Sequence, residues 1–188
     1  SGLTFASVLR AALRQDPDVI MIGEIRDAQT AEIAVRAAIT GHMVLSTLHT
    51  NSAAGAIDRL KDIGVEPFMI ASSVRGILAQ RLVRKICDHC KEEIPTENMY
   101  NFELKKNFHG KGCEDCNFSG YGGGRIGVFE LLSINKDVRQ LIHNGAGEDE
   151  ISKYLIANKV PTIIDDGLHK VEMGVTTIDE VVRVTAED

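Results

Sequence analysis

All four cysteines of this 188-residue chain fall into two C-x-x-C pairs, Cys87/Cys90 and Cys113/Cys116. A C-x-x-C turn can present two thiolates along one edge of a tetrahedron, and two such turns close a structural zinc site. Residues 91–112 between the pairs form a loop slightly longer than the usual zinc-ribbon spacing, and closing it costs little extra entropy. Lys85, Lys91 and Lys111 lie nearby in sequence and would offset part of the charge of a zinc tetrathiolate. Disulfides or a redox C-x-x-C are the competing readings, and His89 or His109 in place of one cysteine is a variant of the zinc reading. A closed site of this kind is expected to be structural and not catalytic.

The second place for chemistry is an acid after an apolar run. Val19-Ile20-Met21-Ile22 leads into Gly23-Glu24, and the carboxyl ends of strands are where open α/β sheets place ligands. A carboxylate there can orient water or take part in magnesium coordination during phosphoryl transfer. Many purely structural strands also end in Glu. His42 and His49 bracket the next apolar run, in TGHMVLSTLHTN, so parallel neighbouring strands would bring Glu24 and His49 together. The competing reading is that both histidines only satisfy backbone groups at strand ends.

Helices and strands must hold these residues. Phe5, Val8, Leu9 and Ala12 share one expected helical face over residues 5–15, with Arg10 and Arg14 four apart on another. Pro17 ends that helix. The uninterrupted apolar run 19–22 predicts a parallel strand covered on both faces. Asp27 or Thr30 can cap a helix through Ala38, and residues 43–49 read as a second strand. A helix is expected to about Asp62, and another from Pro67 to about Gln80, before a short strand LVRKI. After the Cys-, Gly- and Lys-rich stretch, GRIGVFELL reads as a strand. Short helices are expected around 136–143, 148–157 and 163–173, with a last one capped near Thr177.

The alternation indicates an α/β fold. Three sequence stretches are expected: an α/β core over 1–86, a metal-binding subdomain over 87–124, and a strand with a helical tail over 125–188. A hydrophobic content of 44% is enough for a core, while the net charge of -6 argues against a general nucleic-acid or anionic-membrane binder. No apolar run reaches the roughly 18–20 residues needed to cross a bilayer. With no signal peptide pattern and no initiator Met, the chain reads as an excised fragment of a cytoplasmic protein.

DPDVIMIGEIRD, TGHMVLSTLHTNSA, CDHC with GCEDCNFSGYGGGRIGVFELL, and GLHKVEMGVTTIDEVVRVT together resemble the secretion ATPase superfamily, specifically the type II secretion and type IV pilus assembly motors. The likeness runs over nearly the whole chain, in four ordered segments. It implies a truncated RecA-like P-loop NTPase core carrying a tetracysteine zinc subdomain and a C-terminal helical tail. By this resemblance Glu24 matches the Walker B glutamate that polarises the attacking water, and His49 contacts the terminal phosphate or its surroundings with His42 in support. Arg10, Arg14 and Arg26 match arginines around the nucleotide, some reaching it from another domain or subunit, and Arg125 matches one near the metal subdomain. From residue spacing alone, Arg10 and Arg14 read instead as a solvated helix face.

The resemblance further implies ATP and Mg2+ as ligands of the full-length parent, a homohexamer, and an inner-membrane platform protein as partner. The expected location is cytoplasmic, peripheral to the inner membrane through partners. Pilus retraction motors generally lack the cysteine insertion, which favours the assembly or secretion branch. The P-loop pattern G-x-x-x-x-G-K-[ST] is missing, and Gly122-Gly123-Gly124 has no following Lys-Ser/Thr pair. The fragment is therefore expected neither to bind ATP tightly nor to hydrolyse it. The alternative is a zinc-stabilised scaffold that docks a partner or a neighbouring subunit.

Overall fold

The computed structural model describes residues 4–96, 100 and 102–186. In chain order the elements are α1 (Phe5–Leu13), β1 (Val19–Ile22), α2 (Ala28–Ile39), β2 (Met43–Ser46), α3 (Gly55–Asp62) and α4 (Pro67–Ser73). They continue with β3 (Gly76–Ile86), β4 (Lys91–Ile94), β5 (Asn107–Gly110), β6 (Tyr121–Ser133), α5 (Lys136–His143), α6 (Glu148–Ala157), α7 (Ile163–Glu172) and α8 (Ile178–Thr185). Contacts group them into two units. One holds residues up to Ile77 together with Leu131–Val160, and the other holds Leu78–Glu130 together with the chain from Pro161 onward.

In the first unit the helix starts are written in the sequence. Thr4 accepts from the Ser7 N–H and Ser7 returns a side-chain bond, which closes a capping box on α1. Asp27 caps α2 by accepting from the Thr30 N–H at 2.9 Å. β1 and β2 pair in parallel with Val19 opposite Met43 and Ile22 opposite Ser46. Ile20 and Ile22 are buried against Ala6 and Leu9 of α1 and Ile33 and Ala34 of α2.

Two expectations change here. β1 is covered on one face only: Val19 and Met21 are exposed, as are Met43 and Leu45 beside them on β2. An apolar run reports strand character, but what packs on each face depends on the other elements present, and α1 and α2 both lie on the Ile20/Ile22 side. The apolar face expected for α1 is also displaced, with Ala6 and Leu9 buried while Phe5 and Val8 are exposed.

The helix expected to reach Gln80 stops at Ser73. Val74 is extended, and from Gly76 the chain becomes an eleven-residue strand paired with β6. Long-range pairing overrides the helical propensity of Leu78-Ala79-Gln80. Lys61 then ties α3 to the turn before α6, donating to the Ala146 carbonyl at 2.8 Å, while Asp58 accepts from the Glu148 N–H at 2.8 Å.

In the second unit β4 and β5 form an antiparallel pair, with Lys91 opposite Gly110 and Ile94 opposite Asn107. α7 and α8 bury Val171, Ile178 and Val181 with Leu104 and Leu168 packed against them. Thr162 and Thr177 cap these two helices, the latter as the sequence predicts.

Candidate functional site

β1 ends at Ile22 and β2 at Ser46, in parallel register, so the residues just beyond both strands emerge at the same end of the sheet. There Glu24 Oε2 accepts from the Nε of Arg26 at 2.5 Å and lies 3.2 Å from Nε2 of His49. Glu24 is partly buried, whereas the side chains of Arg26 and His49 are exposed. Two hydrogen-bond donors therefore converge on one carboxylate oxygen. The backbone joins in: the Ile25 N–H donates to the Thr47 carbonyl at 3.1 Å, and the Thr47 hydroxyl donates to the Gly23 carbonyl at 2.5 Å. A carboxylate held this way can orient a water and accept its proton, and the Arg26 guanidinium and a ring N–H of His49 are donors that suit an anionic substrate.

The other named residues lie elsewhere. His42 stands at the start of β2, the end opposite His49, and its Nδ1 is 3.1 Å from the Ala37 carbonyl and 3.3 Å from the Thr40 hydroxyl. It finishes α2. Arg10 is exposed and lines a shallow groove with His42, Arg36, Leu13 and Ile33. Arg14 is exposed and forms the C-terminal cap of α1. Arg125 is exposed on β6, in the second unit. The chain thus unites Glu24, Arg26 and His49, and it unites Arg10 with His42, but it does not join those two groups.

The cysteines form the second centre. Their four sulfurs all lie within 4.8 Å of one another. Cys87 to Cys113 is 3.8 Å, Cys90 to Cys116 is 3.9 Å and Cys113 to Cys116 is 3.8 Å. A disulfide needs about 2.05 Å, so these are free thiols. A tetrahedron with zinc–sulfur bonds of about 2.3 Å has edges of about 3.8 Å, so the donor set fits zinc in kind and in spacing. Backbone N–H groups of Gly112 and Cys113 donate to the sulfurs of Cys90 and Cys116, each at 3.3 Å. The Cys113 N–H pulls the Cys116 thiol down to about 6, whereas desolvation pushes Cys113 up to about 12. A central cation is what would let all four ionise together.

Sequence reasoning passed over Thr47, whose role shows only when the strand register is known. It also passed over Glu180, a buried carboxylate on α8 gripped by Arg84 and Arg183. Only the Thr177 cap three residues earlier marks that stretch as structured.

The family model for "Type II/IV secretion system protein" matches residues 1–183. The type II secretion system ATPase E of Vibrio cholerae serotype O1 is 53% identical over 192 aligned residues, covering 98% of this chain and 38% of that protein. The type IV pilus assembly ATPase PilB of Thermus thermophilus is 46% identical, covering 100% of this chain and 22% of its own length. Among solved structures, the pilus retraction motor PilT with bound ADP superposes with a TM-score of 0.70 at 31% identity, over 98% of this chain and 44% of that one. The chain therefore spans well under half the length of the relatives it matches, with an α/β secretion-ATPase fold. It belongs to the type II/IV secretion system protein family.

Proposed function

We propose that this chain is the part of a secretion or pilus-assembly ATPase that supplies the water-activating carboxylate, and that its parent is a hexameric motor. The observation that carries this reading is the meeting of Glu24, Arg26 and His49 at the carboxyl end of the parallel strand pair. Glu24 aligns the attacking water and takes its proton, while His49 and Arg26 face the terminal phosphate and offset the charge that develops there. ATP and Mg2+ are ligands of the full-length parent; bound magnesium would neutralise phosphate charge. This sequence lacks a P-loop, so the isolated chain neither binds ATP tightly nor hydrolyses it.

Arg10, Arg14 and Arg125 contribute to the nucleotide environment of the parent, some of them from another domain or subunit. His42 acts only in support, bracing the start of the strand that leads to His49. Within their own unit Arg10 and Arg14 stand apart from Glu24, which supports a role in trans for those two. Cys87, Cys90, Cys113 and Cys116 hold a structural zinc, supported by tetrahedral sulfur spacing. The motor works in the cytoplasm against an inner-membrane platform protein. Among the described residues no helix is long and apolar enough to cross a membrane, consistent with attachment through partners.

The test is ATP turnover by the full-length parent carrying Glu24→Gln. Loss of turnover with nucleotide binding and metal content retained is expected. Turnover at the unsubstituted rate would sink the catalytic assignment.

A further inference from the structure

We infer that Thr47 is a positioning residue for Glu24, acting through the backbone that carries the carboxylate; the inference rests on the ATPase reading of that site. The regular parallel ladder stops at the Ile22–Ser46 pair. Glu24 lies two residues further on, past Gly23, the residue type with the greatest backbone freedom. Apart from its chain neighbours, no atom comes within 4 Å of where a Gly23 side chain would begin, so nothing packs against the backbone from that side.

Thr47 supplies the restraint instead. Its hydroxyl donates to the Gly23 carbonyl at 2.5 Å, and its own carbonyl accepts from the Ile25 N–H at 3.1 Å. One residue thus grips the peptide groups immediately before and after Glu24. Thr47 also lies two residues before His49, so the clamp sets the separation of the Glu24 and His49 side chains, which meet at 3.2 Å. Its β-branched side chain has few accessible rotamers, which suits a hydroxyl that must keep one direction.

A purely structural role fits less well. Thr47 and Gly23 are both exposed, so water would replace the lost hydroxyl at the Gly23 carbonyl with little effect on folding. Catalysis is more demanding than folding, because a displacement on the order of 1 Å in a reacting group can cost about a hundred-fold in rate. The hydroxyl is therefore worth more to turnover than to stability.

The experiment compares Thr47→Val, Thr47→Ser and Glu24→Gln in the full-length parent, reading ATP turnover, KM and thermal unfolding. Thr47→Val keeps the branched shape and removes the donor. It is expected to lower kcat about ten-fold or more, with KM and the unfolding midpoint close to the parent values. Thr47→Ser keeps the donor and should restore most of kcat. If Thr47→Val turns over normally while Glu24→Gln is inactive, the positioning role is overturned and the ATPase reading stands. If kcat, KM and the unfolding midpoint shift together, Thr47 is structural and the inference also fails. A normal rate in Glu24→Gln overturns both the inference and the reading beneath it. Should Thr47→Val not fold, Thr47→Ser decides alone: a kcat loss as deep as about ten-fold despite the retained hydroxyl refutes the clamp.

Discussion

Glu180 on α8 is almost completely enclosed, and its carboxylate accepts from the backbone N–H of Arg84 on β3 at 2.8 Å and from the Arg84 guanidinium at 2.6 Å. Arg183, one turn later on α8, adds two further bonds at 2.9 Å. Arg84 also lies over the Tyr121 ring, 4.0 Å from its centre, and Tyr121 is 3.0 Å from the Thr177 hydroxyl. The last helix of the chain is thereby fastened to the strand that leads into the first cysteine pair.

That fastening should be visible as acid sensitivity. Burial alone would raise the Glu180 pKa, but the bonds from Arg183 and Arg84 outweigh it and hold the carboxyl at about 2, against an ordinary value of 4.5. A folded-state value below the unfolded one contributes stability that is present above pH 4.5 and lost as pH falls toward 2. The difference corresponds to about 3 kcal/mol at neutral pH. Urea unfolding of Glu180→Gln at pH 7 should show a loss of about 2–3 kcal/mol, softened because both arginines remain partly solvated. Repeating the titration between pH 5 and 2 should show a shallower decline in the variant than in the original protein, and equal slopes would remove Glu180 as the cause.

Metal removal gives a separate check. Elemental analysis of chain purified under reducing, chelator-free conditions should find about one zinc per chain, and a chelator should lower the unfolding midpoint. Cys113→Ser should lose the metal. Four free thiols without metal, and no response to chelator, would count against the zinc centre despite its sulfur geometry.

How much of this was legible depends on whether a feature is local. The caps at Asp27 and Thr177 were readable because a capping side chain bonds to its own helix two or three residues on. The cysteine pairs were readable because their chemistry narrows the options. Glu24 and His49 could be paired because both follow apolar strands, and the structure brings them to 3.2 Å. What escaped was set by distant partners. Leu78-Ala79-Gln80 resembles helix until β6 pairs with it, and Val19 and Met21 resemble buried residues until α1 and α2 settle on the opposite face. Glu180 escaped because its partner Arg84 lies far back in the sequence, on a strand misread in length.

The exposed site residues should separate by role in the full-length parent. His49 and Arg26 both reach Glu24 Oε2, yet each is largely solvent-exposed, so removing either should leave folding nearly intact. His49→Ala is expected to lower kcat by about a hundred-fold, the scale of losing one transition-state donor. His42→Ala should instead shift stability by no more than about 1 kcal/mol, because its ring finishes α2 at the far end of β2. Steady-state turnover alongside thermal unfolding distinguishes the two patterns, and matching kinetic losses in both histidine variants would contradict the separation.

The fold around the cysteines leaves a further mark at two glycines. A Cβ on Gly110 would lie 2.1 Å from the Gly120 carbonyl oxygen, and one on Gly120 would lie 2.2 Å from the Gly110 carbonyl oxygen. Both close approaches are to backbone, which cannot swing aside as a side chain could. Gly120 also has φ +76, a conformation L side chains rarely adopt. The backbone at Gly120 accepts from the Cys87 N–H at 3.0 Å, so separating the two glycines would pull on the first cysteine pair as well. Gly110→Ala should therefore cost about 3 kcal/mol and weaken metal retention during dialysis against a chelator. Gly145→Ala, at a turn with φ +89 where an added Cβ is strained but meets no atom within 4 Å, controls for the backbone cost of losing a glycine away from the cysteines. It should retain metal normally, and equal metal loss in the two variants would mean that the contact with Gly120 does not hold the cysteine centre together.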